Sequence, residues 1–376
     1  MLTIGIPKET AAGETRVAAV PDSIQKLIKA DMAVTVQKGA GLLAHISDEQ
    51  FAQAGATLAA TDKDVYAANI IMKVVRPGAS EWEWLNPETV LIAPLYANRD
   101  PAILEHCIKR RLTAFSLDLI PRIARAQSMD ILSSMSNLAG YKSVLLAADH
   151  LDKIFPMLTT AAGTIIPARV MVIGAGVAGL QAIATARRLG AVVIACDTRP
   201  AVEEQVKSLG AEFFSLETTH ETAQDAGGYA KEQTAAFYQH EQDIIQKHLN
   251  NIDVIITTAL IPGKRAPILI TRAMLKSLRP GAVIVDLAAE QAGNCEATQP
   301  KKIIQEEGVT IIGLENLPSL LPVHASQLFA RNLQTFLTYL APQLQAGQFD
   351  HNDEIIKQSL LTLKGEVVHP QFAKKE

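Results

Sequence analysis

A glycine-rich segment at residues 174–179 has the spacing that cradles phosphate groups. In a Gly-x-Gly-x-x-Gly pattern the first glycine permits a tight turn, the second lets the backbone approach a pyrophosphate, and the third lets a helix pack closely on a strand. The predicted strand Arg169–Ile173, which is apolar apart from its first residue, precedes the segment. A helical pattern follows at residues 180–189, so a helix N-terminus would face the phosphates. Together they predict a dinucleotide site, whose loop residues are Gly174, Ala175, Gly176, Val177, Ala178 and Gly179.

An acidic residue ends the next predicted strand. Asp197 follows the apolar residues 192–196 and lies 23 positions after Gly174. A carboxylate here accepts hydrogen bonds from ribose hydroxyls and repels a 2′-phosphate, which favours NAD over NADP. Thr198 and Arg199 follow directly and are expected at the same site. An arginine can also pair with a phosphate, so that alternative stays open.

Polar side chains also gather at residues 122–134, where no core role is evident. Two arginines, one amide, one acid and three hydroxyls occur within these thirteen residues. Such donors and acceptors suit a carboxamide and a ribose in a cleft between domains. Alternatively, Asp130 or a serine caps the following helix and the arginines are solvated. The residues alone leave both interpretations open.

A second polar stretch, residues 217–242, interrupts the alternation of strands and helices. It contains Ala226-Gly227-Gly228-Tyr229-Ala230-Lys231, and a glycine pair beside a tyrosine suits a mobile flap that closes over a ligand. Composition alone favours a solvated insertion.

The elements that must position these residues follow a βα alternation. Short runs rich in Val and Ile alternate with helical patterns, which is typical of parallel sheets. The predicted strands are residues 2–6, 33–37, 69–74, 90–94, 113–117, 167–173, 192–196, 254–257, 282–286 and 310–313. Helices are expected at 137–154, connecting two domains, and at 325–340, and Gly365 is expected to turn a terminal hairpin.

We therefore predict an α/β protein with two Rossmann-like, doubly wound parallel-sheet domains and a cleft between them. Residues 1–135 and 320–376 form the first, interrupted domain, and residues 136–319 form the NAD(H)-binding domain. A chain of 376 residues is long enough for two cores of this kind.

Composition excludes several other classes of protein. The net charge of -4 gives no reason to expect nucleic acid or an anionic membrane as partner. The three cysteines, Cys107, Cys196 and Cys295, are widely spaced and have no histidine at metal-ligand spacing, which predicts buried thiols and no metal site. The first residues lack the pattern of a signal peptide, and apolar runs are too short to span a bilayer.

Longer motifs resemble two related families, the alanine dehydrogenases and the proton-translocating NAD(P) transhydrogenases. Both families share a start similar to Gly5-Ile6-Pro7-Lys8-Glu9 with Arg16-Val17-Ala18. The motifs that resemble the transhydrogenase branch specifically are residues 125–130, 136–141, 226–232, 257–263, 286–288 and 293–295. The resemblance runs nearly from end to end.

This resemblance implies the soluble NAD(H)-binding alpha component of a transhydrogenase in its split form, an oxidoreductase and translocase of the Si-specific, proton-translocating class. In that family the component forms a homodimer and docks against an NADP(H)-binding component. Hydride passes directly between the two nicotinamides, coupled to proton movement in a membrane-spanning component. We accordingly expect a cytoplasmic protein that is peripheral to the inner or plasma membrane through its partners.

The resemblance also implies roles for particular residues. By matching position, the residues around the NAD nicotinamide and its ribose are Arg122, Gln127, Asp130 and Ser133, with Gln127 reaching towards the partner's nucleotide. Those that hold pyrophosphate and adenosine ribose are Gly176, Val177, Ala178 and Asp197, Tyr229 belongs to a mobile loop, and Thr258, Ala259 and Leu260 line the cofactor cleft. Met135 departs from the family pattern, where we expect a glutamine.

Alanine dehydrogenase is the alternative function. Arg16 and Lys73 match that family's ligands for the substrate carboxylate, but Tyr96 stands where it carries a histidine and Glu290 where it carries an aspartate. Hydride exchange between two nicotinamides needs orientation and close approach rather than an acid or base. The missing histidine therefore favours a transhydrogenase. A non-catalytic NAD-binding module is a third alternative, which the polar residues 122–130 disfavour.

Overall fold

The computed structural model describes residues 1–216, 234–261 and 264–373. The chain divides into two compact units, Met1–Met135 with Ser319–Glu376, and Ser136–Pro318. No helix in the described ranges is both long and apolar enough to cross a membrane.

The N-terminal part of the first unit alternates strands with helices, as the sequence pattern predicts. Helix α1 illustrates how the ends are set, since Pro21 starts it, Asp22 lies in its first turn and Lys26 and Lys29 lie in its last. The strands are β1 (Leu2–Ile6), β2 (Met32–Gln37), β3 (Thr57–Ala59), β4 (Ile70–Met72), β5 (Val90–Ala93) and β6 (Thr113–Ser116). The helices are α1 (Pro21–Lys29), α2 (Asp48–Gln53), α3 (Asp62–Tyr66), α4 (Glu81–Trp84) and α5 (Ala102–Lys109).

The second unit contains a seven-stranded sheet and a separate two-stranded antiparallel hairpin, which the first two of its strands form. Its strands are β7 (Leu158–Thr160), β8 (Gly163–Ile165), β9 (Arg169–Ile173), β10 (Val192–Asp197), β11 (Glu212–Ser215), β12 (Val254–Thr257), β13 (Val283–Asp286), β14 (Ile303–Glu306) and β15 (Val309–Ile312). The helices are α6 (Ile131–His150), which starts before Ser136, α7 (Val177–Arg188), α8 (Glu203–Ser208), α9 (Ala235–His248) and α10 (Arg272–Leu275).

Strand order in this sheet defines where a ligand can bind. The order is β11-β10-β9-β12-β13-β15-β14, and all pairs are parallel except β14 with β15. Because the chain moves outward in one direction from β9 to β11 and then returns to the other side of β9, the switch point lies between β9 and β12. Apolar cores cover both faces of the sheet, which explains why its central strands are continuous apolar runs.

The chain then returns to the first unit through α11 (Pro322–Ala346), α12 (Glu354–Ser359), β16 (Leu360–Leu363) and β17 (Glu366–Val367). The predicted terminal hairpin is confirmed, and it extends the first sheet to the order β17-β16-β6-β5-β4-β1-β2-β3. Apolar residues of α11, including Phe329, Leu333 and Phe336, pack against one face of that sheet.

Three predicted helices differ in their bounds, since 137–154, 180–189 and 325–340 are observed as Ile131–His150, Val177–Arg188 and Pro322–Ala346. The predicted connecting helix at 137–154 begins earlier, at Ile131, because the Asp130 carboxylate accepts a hydrogen bond from the Ser133 backbone at 2.9 Å and caps its first turn. The polar stretch predicted at 217–242 is helical from Ala235 onwards, where the Thr234 hydroxyl accepts from the Phe237 backbone.

Candidate functional site

The glycine loop lies at the switch point of the second sheet, between β9 and α7. Gly174 adopts a φ of +95°, and a Cβ atom built on it would lie 2.4 Å from Thr258 Oγ1. A Cβ on Gly179 would lie 1.8 Å from the Gly174 carbonyl oxygen. Both positions therefore require glycine, the first for its turn and the second for the approach of α7 to the strand.

The middle glycine of the loop has open space around it. The nearest atom to a Cβ built on Gly176 is Arg199 Nη2, at 3.8 Å. Gly176 is also the N-cap residue of α7, so the unpaired backbone N–H groups of the helix's first turn begin here. This combination of space and N–H donors fits a pyrophosphate.

The side chain of Asp197 is buried and already holds four hydrogen bonds. Its Oδ2 accepts from the Ala175 backbone at 2.7 Å and from Arg199 Nη2 at 2.8 Å. Its Oδ1 accepts from the Arg199 backbone at 2.9 Å and from Arg199 Nε at 2.8 Å. The hydrogen bond to Asp197 raises the pKa of the Arg199 guanidinium. Asp197 thus fixes the glycine loop and holds Arg199 beside it.

The loop after β12 lies on the other side of the switch point from the glycine loop. Thr258 Oγ1 donates to the Gly174 carbonyl at 3.0 Å, which ties this loop to the glycine loop. The Asn294 side chain accepts from the Ala259 backbone N–H at 3.0 Å and donates to the Ala259 carbonyl at 2.9 Å. Thr258, Ala259 and Leu260 are each half-buried, so they retain surface for a ligand.

Asp286, at the end of β13, stabilises this loop through hydrogen bonds. It is fully buried and accepts from two hydroxyls, Thr257 Oγ1 at 2.9 Å and Thr298 Oγ1 at 2.6 Å. It also accepts from three backbone N–H groups, those of Ala288, Asn294 and Cys295. In the sequence, Asp286 stands out only within the motif 286–288, although a lone acid at the end of an apolar strand is itself a signal of such a supporting role.

The polar segment 122–134 belongs to the first unit, and contacts to its own backbone hold it in place. The Asn332 side chain of α11 donates to the Ser128 carbonyl at 2.8 Å, and Ala126 and Met129 are buried in the core. Gln127 and Arg122 keep surface for a contact, since neither is buried. The segment therefore presents Gln127 from a backbone that is fixed on both sides of it.

Two further predicted residues in this segment bond to each other. Ser133 Oγ donates to Asp130 Oδ2 at 2.5 Å, in addition to the backbone cap of α6. The helix-capping interpretation of Asp130 is therefore correct, and it does not exclude a role for the remaining lone pairs. Tyr229, the other predicted contact, lies outside the described residues, as do Pro262 and Gly263.

Arg16 and Lys73, the residues matched to carboxylate ligands, already bind carboxylates of the chain. Arg16 makes two hydrogen bonds to Glu14, at 2.7 and 2.6 Å. Lys73 is fully buried between Glu9 and Glu81, at 2.9 Å from an oxygen of each. Burial raises the pKa of Glu9, although the adjacent Lys73 ammonium opposes this.

No group of three or more metal-ligating side chains occurs in the ranges that the structure describes. The three cysteines are buried, and burial raises the pKa of Cys107 to about 12 and that of Cys295 to about 11. These thiols are protonated at neutral pH and pack as small apolar groups.

Two family models cover almost the whole chain. The model for the alanine dehydrogenase/PNT N-terminal domain matches residues 5–139, and that for the C-terminal domain matches residues 143–370. The chain belongs to the alanine dehydrogenase/PNT family.

Within this family the chain is similar to transhydrogenase proteins. It is 46% identical to the first part of the NAD(P) transhydrogenase alpha subunit of Rhodospirillum rubrum, over 98% of each chain. The crystal structure of a transhydrogenase from Sinorhizobium meliloti has a TM-score of 0.86 and 42% identity, with 98% of this chain and 100% of that one covered. An L-alanine dehydrogenase structure follows with a TM-score of 0.84 and 26% identity, covering 98% of both chains. The predicted resemblance and fold class are confirmed.

Proposed function

We propose that this chain is the NAD(H)-binding component of a proton-translocating NAD(P) transhydrogenase. It passes hydride directly between NAD(H) and NADP(H) on a partner component, and a membrane-spanning partner moves the protons. The observation that carries the proposal is the 46% identity, over nearly the full length of both chains, to a protein named as a portion of the NAD(P) transhydrogenase alpha subunit.

The second unit, Ser136–Pro318, is the proposed NAD(H)-binding domain. Gly176, Val177 and Ala178 supply an open helix N-terminus for the pyrophosphate. Thr258, Ala259 and Leu260 line the opposite side of the switch point. Asp197 and Arg199 lie at the end of β10, where the adenosine ribose is expected.

A bound nicotinamide supplies the hydride. The residues of this chain therefore need only orient the nicotinamide and allow its close approach to the second nucleotide. Gln127 is exposed on a segment whose backbone is anchored by Asn332. An exposed amide on a fixed backbone suits a group that contacts a nucleotide held by another protein. Arg122, Asp130 and Ser133 are proposed to orient the nicotinamide and its ribose on this side.

The same proposal includes a homodimer and peripheral attachment to a membrane through partners. The hairpin of β7 and β8 supports the dimer, because each residue of its two strands is exposed. Met157 and Ile166 flank it, each with 65% of its surface exposed. A two-stranded hairpin is only marginally stable alone in water, so one that is flanked by exposed apolar side chains is expected to pack on a second copy.

Alanine dehydrogenase is the second candidate, favoured by the similar fold and the retained Arg16 and Lys73. Both cations are bound to carboxylates of the chain, and Tyr96 replaces the expected histidine. One experiment separates the two functions. The purified chain should reduce no NAD⁺ with alanine, whereas with its two partner components it should move hydride from NADH to an NADP⁺ analogue. Alanine-dependent reduction of NAD⁺ by the chain alone would refute the transhydrogenase proposal.

A further inference from the structure

Helix α9 of the second unit carries a buried acidic side chain on its apolar face. Glu241 is only 3% exposed. Tyr238 and Ile245, three positions before and four after it, pack against the core cluster that contains Cys196 of β10. Carboxyl groups are seldom buried without a cation or a hydrogen-bond donor, because desolvation disfavours their charged form. The position of Glu241 therefore requires an explanation.

Glu241 has no such donor among the residues that the structure describes. Burial, followed by the negative charge of the nearby Asp197, raises the pKa of Glu241 to about 8. Burial and both carboxylates also raise the pKa of the Cys196 thiol. The charge of Glu241 thus interacts with that of Asp197, the last residue of β10, and no described residue donates a hydrogen bond to the oxygen atoms of Glu241.

Asp197 and Glu241 differ in the number of hydrogen bonds that their carboxyl oxygens already accept from the chain, and this difference indicates a role for Glu241. Each Asp197 oxygen already accepts two hydrogen bonds from the chain, which leaves little capacity for a ligand. In a sheet of this strand order, the end of β10 is where the adenosine ribose lies, and ribose hydroxyls need acceptors. The carboxyl oxygens of Glu241 can supply such acceptors at this end of the sheet.

We propose that Glu241 is a second specificity-determining carboxyl group of the adenosine-ribose site, which accepts from a ribose hydroxyl and rejects a 2′-phosphate. The inference rests on the proposed NAD(H) site. A 2′-phosphate would place further negative charge beside the Asp197 carboxylate and, where Glu241 is ionised, beside a second carboxylate. The guanidinium of Arg199 already pairs with Asp197 through Nε and Nη2, so part of its charge is offset within the chain.

Binding of NADH and NADPH to the purified chain tests this role. The titrations follow nicotinamide fluorescence at about pH 9, where a group with the pKa of Glu241 is ionised. Glu241→Gln should lower the ratio of the NADPH Kd to the NADH Kd about tenfold, the scale of one charge-assisted hydrogen bond. Glu241→Asp, which keeps the charge, should preserve most of that ratio. Asp243→Asn, an exposed acid on the same helix, should leave it unchanged.

An unchanged ratio in Glu241→Gln, or an equal loss of affinity for both nucleotides, overturns the inference and indicates a structural role. Failure of the wild-type chain to bind NADH overturns the proposed function as well. A third measurement needs no variant. An NADH analogue that lacks the 2′-hydroxyl of its adenosine ribose should bind the wild-type chain about tenfold more weakly. Equal binding of the analogue and NADH also contradicts the inference.

Discussion

At the scale of single residues, the structure separates side chains that hold the site from those that can face a ligand. Asp197, Asp286 and Asn294 use their polar atoms on the chain itself and thereby fix two loops at the switch point. The side chains of Gln127 and Glu241 make no such hydrogen bonds within the described ranges. Gln127 is exposed, whereas Glu241 is buried. We infer that the first group fixes the geometry of these loops, and that the second group keeps polar atoms for the nucleotide contacts proposed above.

The exposed amide of Gln127 gives a prediction about rate. Gln127→Asn shortens the side chain by one methylene group, so it should slow hydride transfer at least tenfold, because close approach governs this reaction. NADH affinity should stay within about threefold, since a contact to the partner's nucleotide adds nothing to NADH binding. Gln345→Asn, an exposed amide on α11, is the matched control. Unchanged turnover in Gln127→Asn removes the proposed role.

Asp197 gives a prediction about affinity. Asp197→Ala removes the acceptor for Ala175 and releases Arg199, so the glycine loop loses its support. NADH binding should weaken by about 1–3 kcal/mol, as for the loss of a charge-assisted hydrogen bond. Fluorescence titration measures this, with Asp149→Ala as an exposed control. If both variants bind NADH like the wild type, Asp197 does not organise the site.

At the scale of elements, α11 is the long core helix of the first unit and holds the segment that carries Gln127. Asn332 donates to the Ser128 carbonyl, and Tyr339 donates to Asp353, which also pairs with Arg125 at 3.5 Å. The Asn332 side chain is buried, whereas Arg125 is exposed and its ion pair is screened by solvent. The Asn332 bond is therefore a buried polar anchor of the segment.

Removing that anchor should change catalysis before it changes binding. Asn332→Ala should lower the free energy of unfolding by about 1–3 kcal/mol, because it removes the hydrogen bond to the Ser128 carbonyl and leaves a small cavity. The hydride-transfer rate should fall several-fold while NADH affinity is retained, since the glycine loop belongs to the other unit. Thr335→Ala, on the same helix, is the control. A normal rate in a destabilised Asn332→Ala variant would show that the anchor is structural only.

The β7–β8 hairpin leads to a prediction about assembly. Replacing both Met157 and Ile166 by aspartate should prevent the proposed homodimer, because charges cannot be buried in an apolar contact. Light scattering should then show a monomer, whereas the wild type should be a dimer. A wild-type monomer, or a dimer that survives both substitutions, contradicts this contact.

At the scale of the whole molecule, sequence patterns predicted the sheets well and the supporting contacts poorly. Buried parallel strands such as Val254–Thr257 are continuous apolar runs, so they are visible in the sequence. Strands β7 and β8 are short and have no buried residue, so no hydrophobic pattern marks them. Glu241 was included in a polar stretch because composition does not reveal that one acid in a helix is buried. The order of the strands, which brings Thr258 to Gly174, depends on pairing between distant residues.

The central claim is that hydride passes directly from NAD(H) on this chain to NADP(H) on another. NADH deuterated at either face of C4 is mixed with NADP⁺, this chain and the two partner components, and the position of the label is followed by NMR. We predict that deuterium from one face is recovered in full at C4 of NADPH and that none enters the water. Loss of the label to water, or no transfer while alanine reduces NAD⁺, would contradict direct transfer.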